Sequence, residues 1–366
     1  MAGGPNIVFT YLGRRGAMAR FALELARATV RDGSSGSAFV VSRDNDRWRD
    51  LSDIKGVEVR GLELFTSGMG AITQLARALS FQQSLRAIIE ERKAHWVVEL
   101  MPHVWSPFLA HAVRKAGARR AVLLHDWRGH PGDVSALATS YLRRSALQAD
   151  RLLTLSHAVT RDVVRARPTA NTKTATLFHP DFETKPTPLA PSGPLRAVFI
   201  GRLLAYKGLD LFVEGAERAV SRGVALEVGV YGAGDISAMR PRLKALGAEI
   251  VNRWLSDAEI DAALQRFDIV AVTHREASQS GVAALAFGAG RPVLATPVGA
   301  LSEQVAHERT GLVATRADGA AIADALERFA DRAFLRRCAQ SINLEAPQRS
   351  MGAFLEALKM QLRSGP

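Results

Sequence analysis

The stretch Arg275-Glu-Ala-Ser-Gln-Ser-Gly281 combines a carboxylate, two hydroxyls and a glycine immediately before a run of small residues. The apolar run Ile269–Thr273 ahead of it reads as a strand, and Gly281–Gly288 reads as a helix. The first N–H groups of a helix have no partner inside it and lie at its positive end, so Ser280, Gly281 and Val282 offer amides to an anion. Gly281 lets a ligand approach the backbone closely. Glu276 would repel a phosphate but accepts hydrogen bonds from sugar hydroxyls. One short loop therefore suits a molecule that carries both phosphate and sugar.

Two further strand ends add to this chemistry. Ala197–Ile200 leads into Gly201-Arg202, and Lys207-Gly208 opens the next helix, so two cations flank a tight strand exit. They match a diphosphate, although singly each also suits an ordinary surface. Val228–Tyr231 leads into Gly232-Ala-Gly234, with Ser237 where a dinucleotide fingerprint would have its third glycine. A tight strand-to-helix turn accounts for that pair. In the first half, Leu123-Leu-His125-Asp126 ends a strand, Met101-Pro-His103 follows another, and Gly13-Arg-Arg-Gly16 follows the first. Arg128-Gly-His130-Pro-Gly132 is a further polar loop.

These loops need a scaffold. Strand patterns at residues 6–12, 38–41, 57–59, 95–100, 120–125 and 151–155 alternate with helical patterns at 17–30, 72–92, 107–116 and 135–148, and Ser156 caps a further helix. Pro186, Pro188, Pro191 and Gly193 mark a linker. The alternation then restarts, with strands at 195–200, 226–231, 249–252, 269–273 and 292–296, and helices at 208–222, 236–246, 257–265, 281–288 and 319–334. The expected fold class is α/β, with two doubly wound, Rossmann-like domains facing across a cleft. The expected division is 1–185 for the acceptor side, 186–346 for the donor side, and 347–366 for a last helix that crosses back to the first domain. Ligands of such sheets bind beyond the carboxyl ends of the strands.

The series Gly201-Arg202, Lys207-Gly208, Gly232-x-Gly234, Glu276, Ser280-Gly281, Gly290-Arg-Pro-Val293, Thr296-x-Val-Gly299 and Glu303 resembles the family 4 glycosyltransferases of the GT-B fold, in a form like that of the bacterial polysaccharide subgroup. The resemblance implies that Arg202 and Lys207 bind the donor diphosphate, with Gly201 and Gly232 beside them. It implies that the amides of Ser280, Gly281 and Val282 hold the distal phosphate and that Glu276 contacts the donor sugar. His125 would contact the sugar near the reacting carbon, with Asp126 orienting it or the acceptor. Gly13 would touch the donor phosphate or the acceptor, and His103 would line the acceptor side. The family's second glutamate is missing, with Ala284 and Leu285 in its neighbourhood, and Glu303 would contact the ribose or the loop instead. A hexosyltransferase acting with retention of configuration follows from the family alone.

Composition narrows the partners. The chain has 366 residues, 47% of them hydrophobic and 23% charged, enough for full cores. Net charge is +12. Residues 1–185 hold 27 Lys/Arg against 17 Asp/Glu, and the remainder 21 against 19. A basic first half fits an anionic lipid-linked or glycan acceptor and peripheral attachment to the inner-membrane surface through Arg14, Arg15, Arg20, Arg77, Arg86, Arg114, Lys115, Arg119 and Arg120. Aromatic residues are 7%, without the basic–aromatic interleaving of a stacking platform, which speaks against nucleic acid. Cys338 is the single cysteine, so no internal disulfide is available and a reducing compartment fits. With no signal peptide or spanning segment apparent, a cytoplasmic location is expected. No metal-binding motif is apparent, and no cofactor is expected beyond a nucleotide-diphosphate sugar as substrate. The alternatives are a nucleotide-sugar epimerase of the same architecture and a nucleic-acid-binding protein.

Overall fold

The computed structural model describes residues 5–34, 36–64, 71–127 and 136–363. They form two compact units, residues 1–178 with 351–366, and residues 179–350.

In the first unit the strands are β1 (Ile7–Tyr11), β2 (Ala38–Ser42), β3 (Glu58–Leu62), β4 (Trp96–Glu99), β5 (Arg119–Leu124), β6 (Arg151–Thr154) and β7 (Thr174–Thr176). Their spatial order is β3-β2-β1-β4-β5-β6-β7, with every pairing parallel. The helices are α1 (Ala17–Arg31), α2 (Trp48–Ser52), α3 (Ala71–Glu91), α4 (Ser106–Lys115), α5 (Ala136–Ala146) and α6 (His157–Ala166). Successive strand residues face opposite sides of the sheet. Val8, Val40 and Val97 accordingly join Phe81, Leu85 and Leu109 in one core layer, while Phe9 stacks on Phe39 at 4.8 Å.

In the second unit the strands are β8 (Leu195–Ile200), β9 (Leu226–Tyr231), β10 (Glu249–Val251), β11 (Ile269–Val272), β12 (Val293–Ala295) and β13 (Gly311–Val313). They lie in the order β10-β9-β8-β11-β12-β13, again all parallel. Around them are α7 (Leu209–Ser221), α8 (Arg240–Ala245), α9 (Asp257–Arg266), α10 (Gly281–Gly288), α11 (Leu301–Gln304), α12 (Gly319–Ala330) and α13 (Arg332–Glu345). The last helix, α14 (Met351–Arg363), packs on α1 in the first unit, where Phe354 meets Phe21 edge-to-face at 5.2 Å and Lys359 pairs with Asp32.

Several expected elements differ. The helix anticipated over 319–334 ends at Ala330. Asp331 leaves helical geometry and accepts the Ala333 and Phe334 N–H groups at 2.9 and 3.2 Å, capping a second helix. The helix anticipated from 236 starts at Arg240 and has Pro241 in its first turn, where a missing N–H costs nothing. The three-residue edge strands β7 and β13 had no visible pattern.

Candidate functional site

In the second unit β9, β8 and β11 are neighbours, so the loops after Tyr231, Ile200 and Val272 leave the same edge of the sheet. They are joined through the backbone. Gly201 N–H donates to the Tyr231 carbonyl at 2.9 Å, and Leu203 N–H to that of Ala233 at 2.8 Å. Gly232 has φ 151°, and a Cβ there would fall 1.7 Å from the Gly201 carbonyl oxygen. The glycine pair is thus required by packing of one loop on the next. Gly208 begins α7 with φ 71°, its Cβ position lies 1.9 Å from the Thr273 carbonyl oxygen, and its own carbonyl accepts from Thr273 Oγ1 at 2.8 Å. Arg275 N–H donates to the Tyr206 carbonyl at 2.7 Å, and its guanidinium pairs with Asp210.

This stitching brings exposed Arg202 and half-buried Lys207 to the edge where α10 begins, with the Lys207 ammonium 5.2 Å from the centre of the Tyr206 ring. Thr273 and His274 are buried, and the chain emerges at exposed Glu276 before turning in at Ser280. Ser280 caps α10, accepting from Ala283 N–H at 3.4 Å. Gly281 and Val282 supply the first two N–H groups of the helix and are partly exposed.

One expected contact is revised here. The Ser280 amide is already used: its N–H donates to Gln304 Oε1 at 2.9 Å, and Gln304 Nε2 donates back to the Ser280 carbonyl at 2.9 Å. Of the three expected amides, that leaves those of Gly281 and Val282. Glu303, expected to contact the ribose or the loop, is an exposed residue of α11, and its neighbour Gln304 braces the loop. Gln304 escaped sequence reasoning because nothing local marks a side chain that reaches back 24 residues. At the position of the missing second glutamate, Ala284 is fully buried within α10 and its carbonyl accepts from Phe182 N–H at 3.3 Å.

In the first unit β1, β4 and β5 are adjacent, so Gly13, His103 and His125 leave the same edge. The Gly13–Gly16 loop is tied to the loop after β2: the Gly13 carbonyl accepts from Asn45 Nδ2 at 3.1 Å, and the Arg14 carbonyl from Asp46 N–H at 2.8 Å. Arg14 pairs with Asp44 at 3.6 Å. His125 Nε2 lies 3.0 Å from the Leu100 carbonyl, which fixes the ring and places its proton on Nε2. Burial depresses the His125 pKa, partly opposed by the Asp126 carboxylate and by the Leu100 bond. Asp126 itself is exposed and acts on His125 through its charge, and the orienting bond is that of Leu100. The loop at 128–132 lies outside the described residues.

The nine basic residues expected to share a membrane-facing surface do not do so. Arg120 is buried against Glu99, and Arg20 is largely buried against Glu24 at 2.9 Å. Arg119 begins β5 and its guanidinium stacks 5.5 Å from the Trp96 ring centre, at the amino edge of the sheet, whereas Arg14 and Arg15 lie at the carboxyl edge. Among the described residues no group of three or more His, Cys, Asp or Glu is placed to hold a metal ion, and no helix is long and apolar enough to cross a membrane.

Residues 16–177 match the model of the glycosyl transferase 4-like domain, and residues 194–332 that of glycosyl transferases group 1. The chain belongs to the family 4 glycosyltransferases of the GT-B fold. Among solved structures, Anabaena HepE in complex with UDP and glucose superposes with a TM-score of 0.76 at 16% identity, covering 98% of this chain and 100% of that one. A glycosyltransferase from Rickettsia africae gives 0.72 at 14%, covering 99% of each chain. Sucrose-phosphate synthase from Thermosynechococcus elongatus gives 0.72 at 14%, covering 99% and 100%. At these identities the likeness concerns the fold. No curated protein sequence matches the chain.

Proposed function

We propose that this glycosyltransferase moves a hexose from a UDP-sugar to a phosphate-bearing glycan or lipid-linked acceptor in bacterial surface polysaccharide synthesis, with retention and without a metal ion. The observation that carries the reading is the stitched edge of the second unit, where Arg202, Lys207 and the start of α10 converge with Glu276. HepE, a protein of the same fold, has been solved with UDP-glucose, which favours uridine as the base.

In this scheme Arg202 and Lys207 take the charge that develops on the departing diphosphate, the electrostatic role a metal has elsewhere. The Gly281 and Val282 amides hold the distal phosphate at the helix N-terminus. Glu276 accepts hydrogen bonds from the sugar hydroxyls. His125 of the first unit contacts the sugar near the reacting carbon, and Arg14 and Arg15 attract the acceptor's phosphate. The acceptor and the basic balance of residues 1–185 suggest work at the inner surface of a membrane.

Thermal-shift measurements with UDP-, GDP-, CMP- and dTDP-sugars test the donor. A rise in melting temperature with UDP-sugars that Arg202→Ala abolishes is expected. A rise with none of them sinks the reading, and interconversion of the donor sugar without acceptor would point to an epimerase.

A further inference from the structure

His103 is held more carefully than a turn residue needs to be. The Glu99 carboxylate ends β4 inside the core and takes hydrogen bonds from Ser106 and from Arg120, whose Nε lies at 3.1 Å. Ser106 Oγ in turn accepts the His103 N–H at 2.8 Å, and Ser106 N–H donates to the His103 carbonyl at 2.8 Å. The imidazole is fixed as well: Trp105 N–H donates to Nδ1 at 3.3 Å. In a neutral ring the proton then sits on Nε2, which becomes a donor. Burial and the Arg14 guanidinium push His103 down to about 4, so the ring is neutral in ordinary solution. It is only half-buried.

The structural duty falls on Nδ1, and Nε2–H remains for a ligand at the edge where Gly13, Arg14 and His125 emerge. The Arg14 guanidinium, itself paired with Asp44 at 3.6 Å, acts on the His103 ring and suits an anionic oxygen on the ligand. We propose that His103 donates its Nε2–H to a phosphate oxygen of the acceptor, with Arg14 supplying the neighbouring charge. This rests on the glycosyltransferase reading above and deepens it by naming an acceptor-binding residue and the acceptor group it takes.

The two ring nitrogens make the test selective. An asparagine amide reaches the position of Nδ1, and a glutamine amide that of Nε2. Full-length protein saturated with UDP would be titrated calorimetrically with geranyl diphosphate, a short soluble prenyl diphosphate. His103→Asn preserves an acceptor for Trp105 N–H and is expected to keep the melting temperature, yet to weaken binding about tenfold or more, the usual size of a lost hydrogen bond to a charged group. His103→Gln is expected to bind within about threefold of the parent. Asparagine binding like the parent overturns the proposal, as does a parent protein that binds UDP but not geranyl diphosphate. Failure to bind UDP refutes the donor reading first and takes this inference with it.

Discussion

Gln304 holds both backbone groups of Ser280 at 2.9 Å, and Ser280 is buried at the start of α10. Replacing Gln304 by alanine removes two neutral hydrogen bonds, each contributing about 1 kcal/mol, so the loop should lose about 2 kcal/mol of preference for its present shape. If the Gly281 and Val282 amides bind phosphate only in that shape, the whole loss appears in donor binding, as a factor of about 30 in Kd. Gln304→Glu is a sharper probe. A carboxylate oxygen still accepts from Ser280 N–H, but the second oxygen faces the Ser280 carbonyl, which keeps only the 3.3 Å bond from Ala284 N–H. Its effect should equal or exceed that of alanine. The assay is titration with UDP-glucose, alongside thermal unfolding. A variant that melts earlier but binds UDP-glucose within twofold of the parent would show that the Gln304 clamp is structural and that α10 does not hold the donor.

Two other perturbations follow from buried charge. Arg120→Met leaves the Glu99 carboxylate buried without its cation, which should cost about 3–5 kcal/mol in urea unfolding, and adding Glu99→Gln should recover most of it; no recovery would mean that the guanidinium acts through its bond to the Ser145 carbonyl at 2.9 Å. Asp181 is pushed up to about 6 from 3.8, first by burial and then by Glu345, against the pull of Arg349. A raised acid holds its proton more tightly folded than unfolded, so its contribution to stability is present at low pH and is lost as pH rises from about 4 through 6. Relative to Asp181→Asn, the parent should lose up to about 3 kcal/mol across that window. A parent that instead gains over the same range would show that the 2.8 Å pair with Arg349 dominates.

The two sheets were legible because parallel strands are buried on both faces and read as apolar runs separated by amphipathic helices. β1 and β8 are such runs, with burial unbroken along IVFTY and nearly so along LRAVFI. β7 fails the same criterion: Thr174–Thr176 is a half-buried edge strand of three residues, and its pairing with β6 is decided by the sheet and not by its own composition. Asp331 was readable in principle, since an aspartate before Arg-Ala-Phe is an N-cap signal, but the apolar spacing ran through it.

The site divides along the same line. Arg202, Lys207 and Glu276 stood out as candidates because strand-end loops of an α/β sheet are where ligands bind, and those residues carry their chemistry on the side chain. Which amides remain for a ligand is a different kind of fact. It depends on where each N–H has already gone, and Ser280 spends its own on a residue in another helix. The glycines divide likewise. The Gly232–Gly234 pair looks like a phosphate fingerprint in one dimension, yet in three its first member clears the Gly201 carbonyl and its second the Leu203 carbonyl. A glycine in a strand-end loop therefore reports a close approach without saying whether ligand or backbone approaches. Only the pairing of that loop with its neighbour decides between them, and here the answer is backbone.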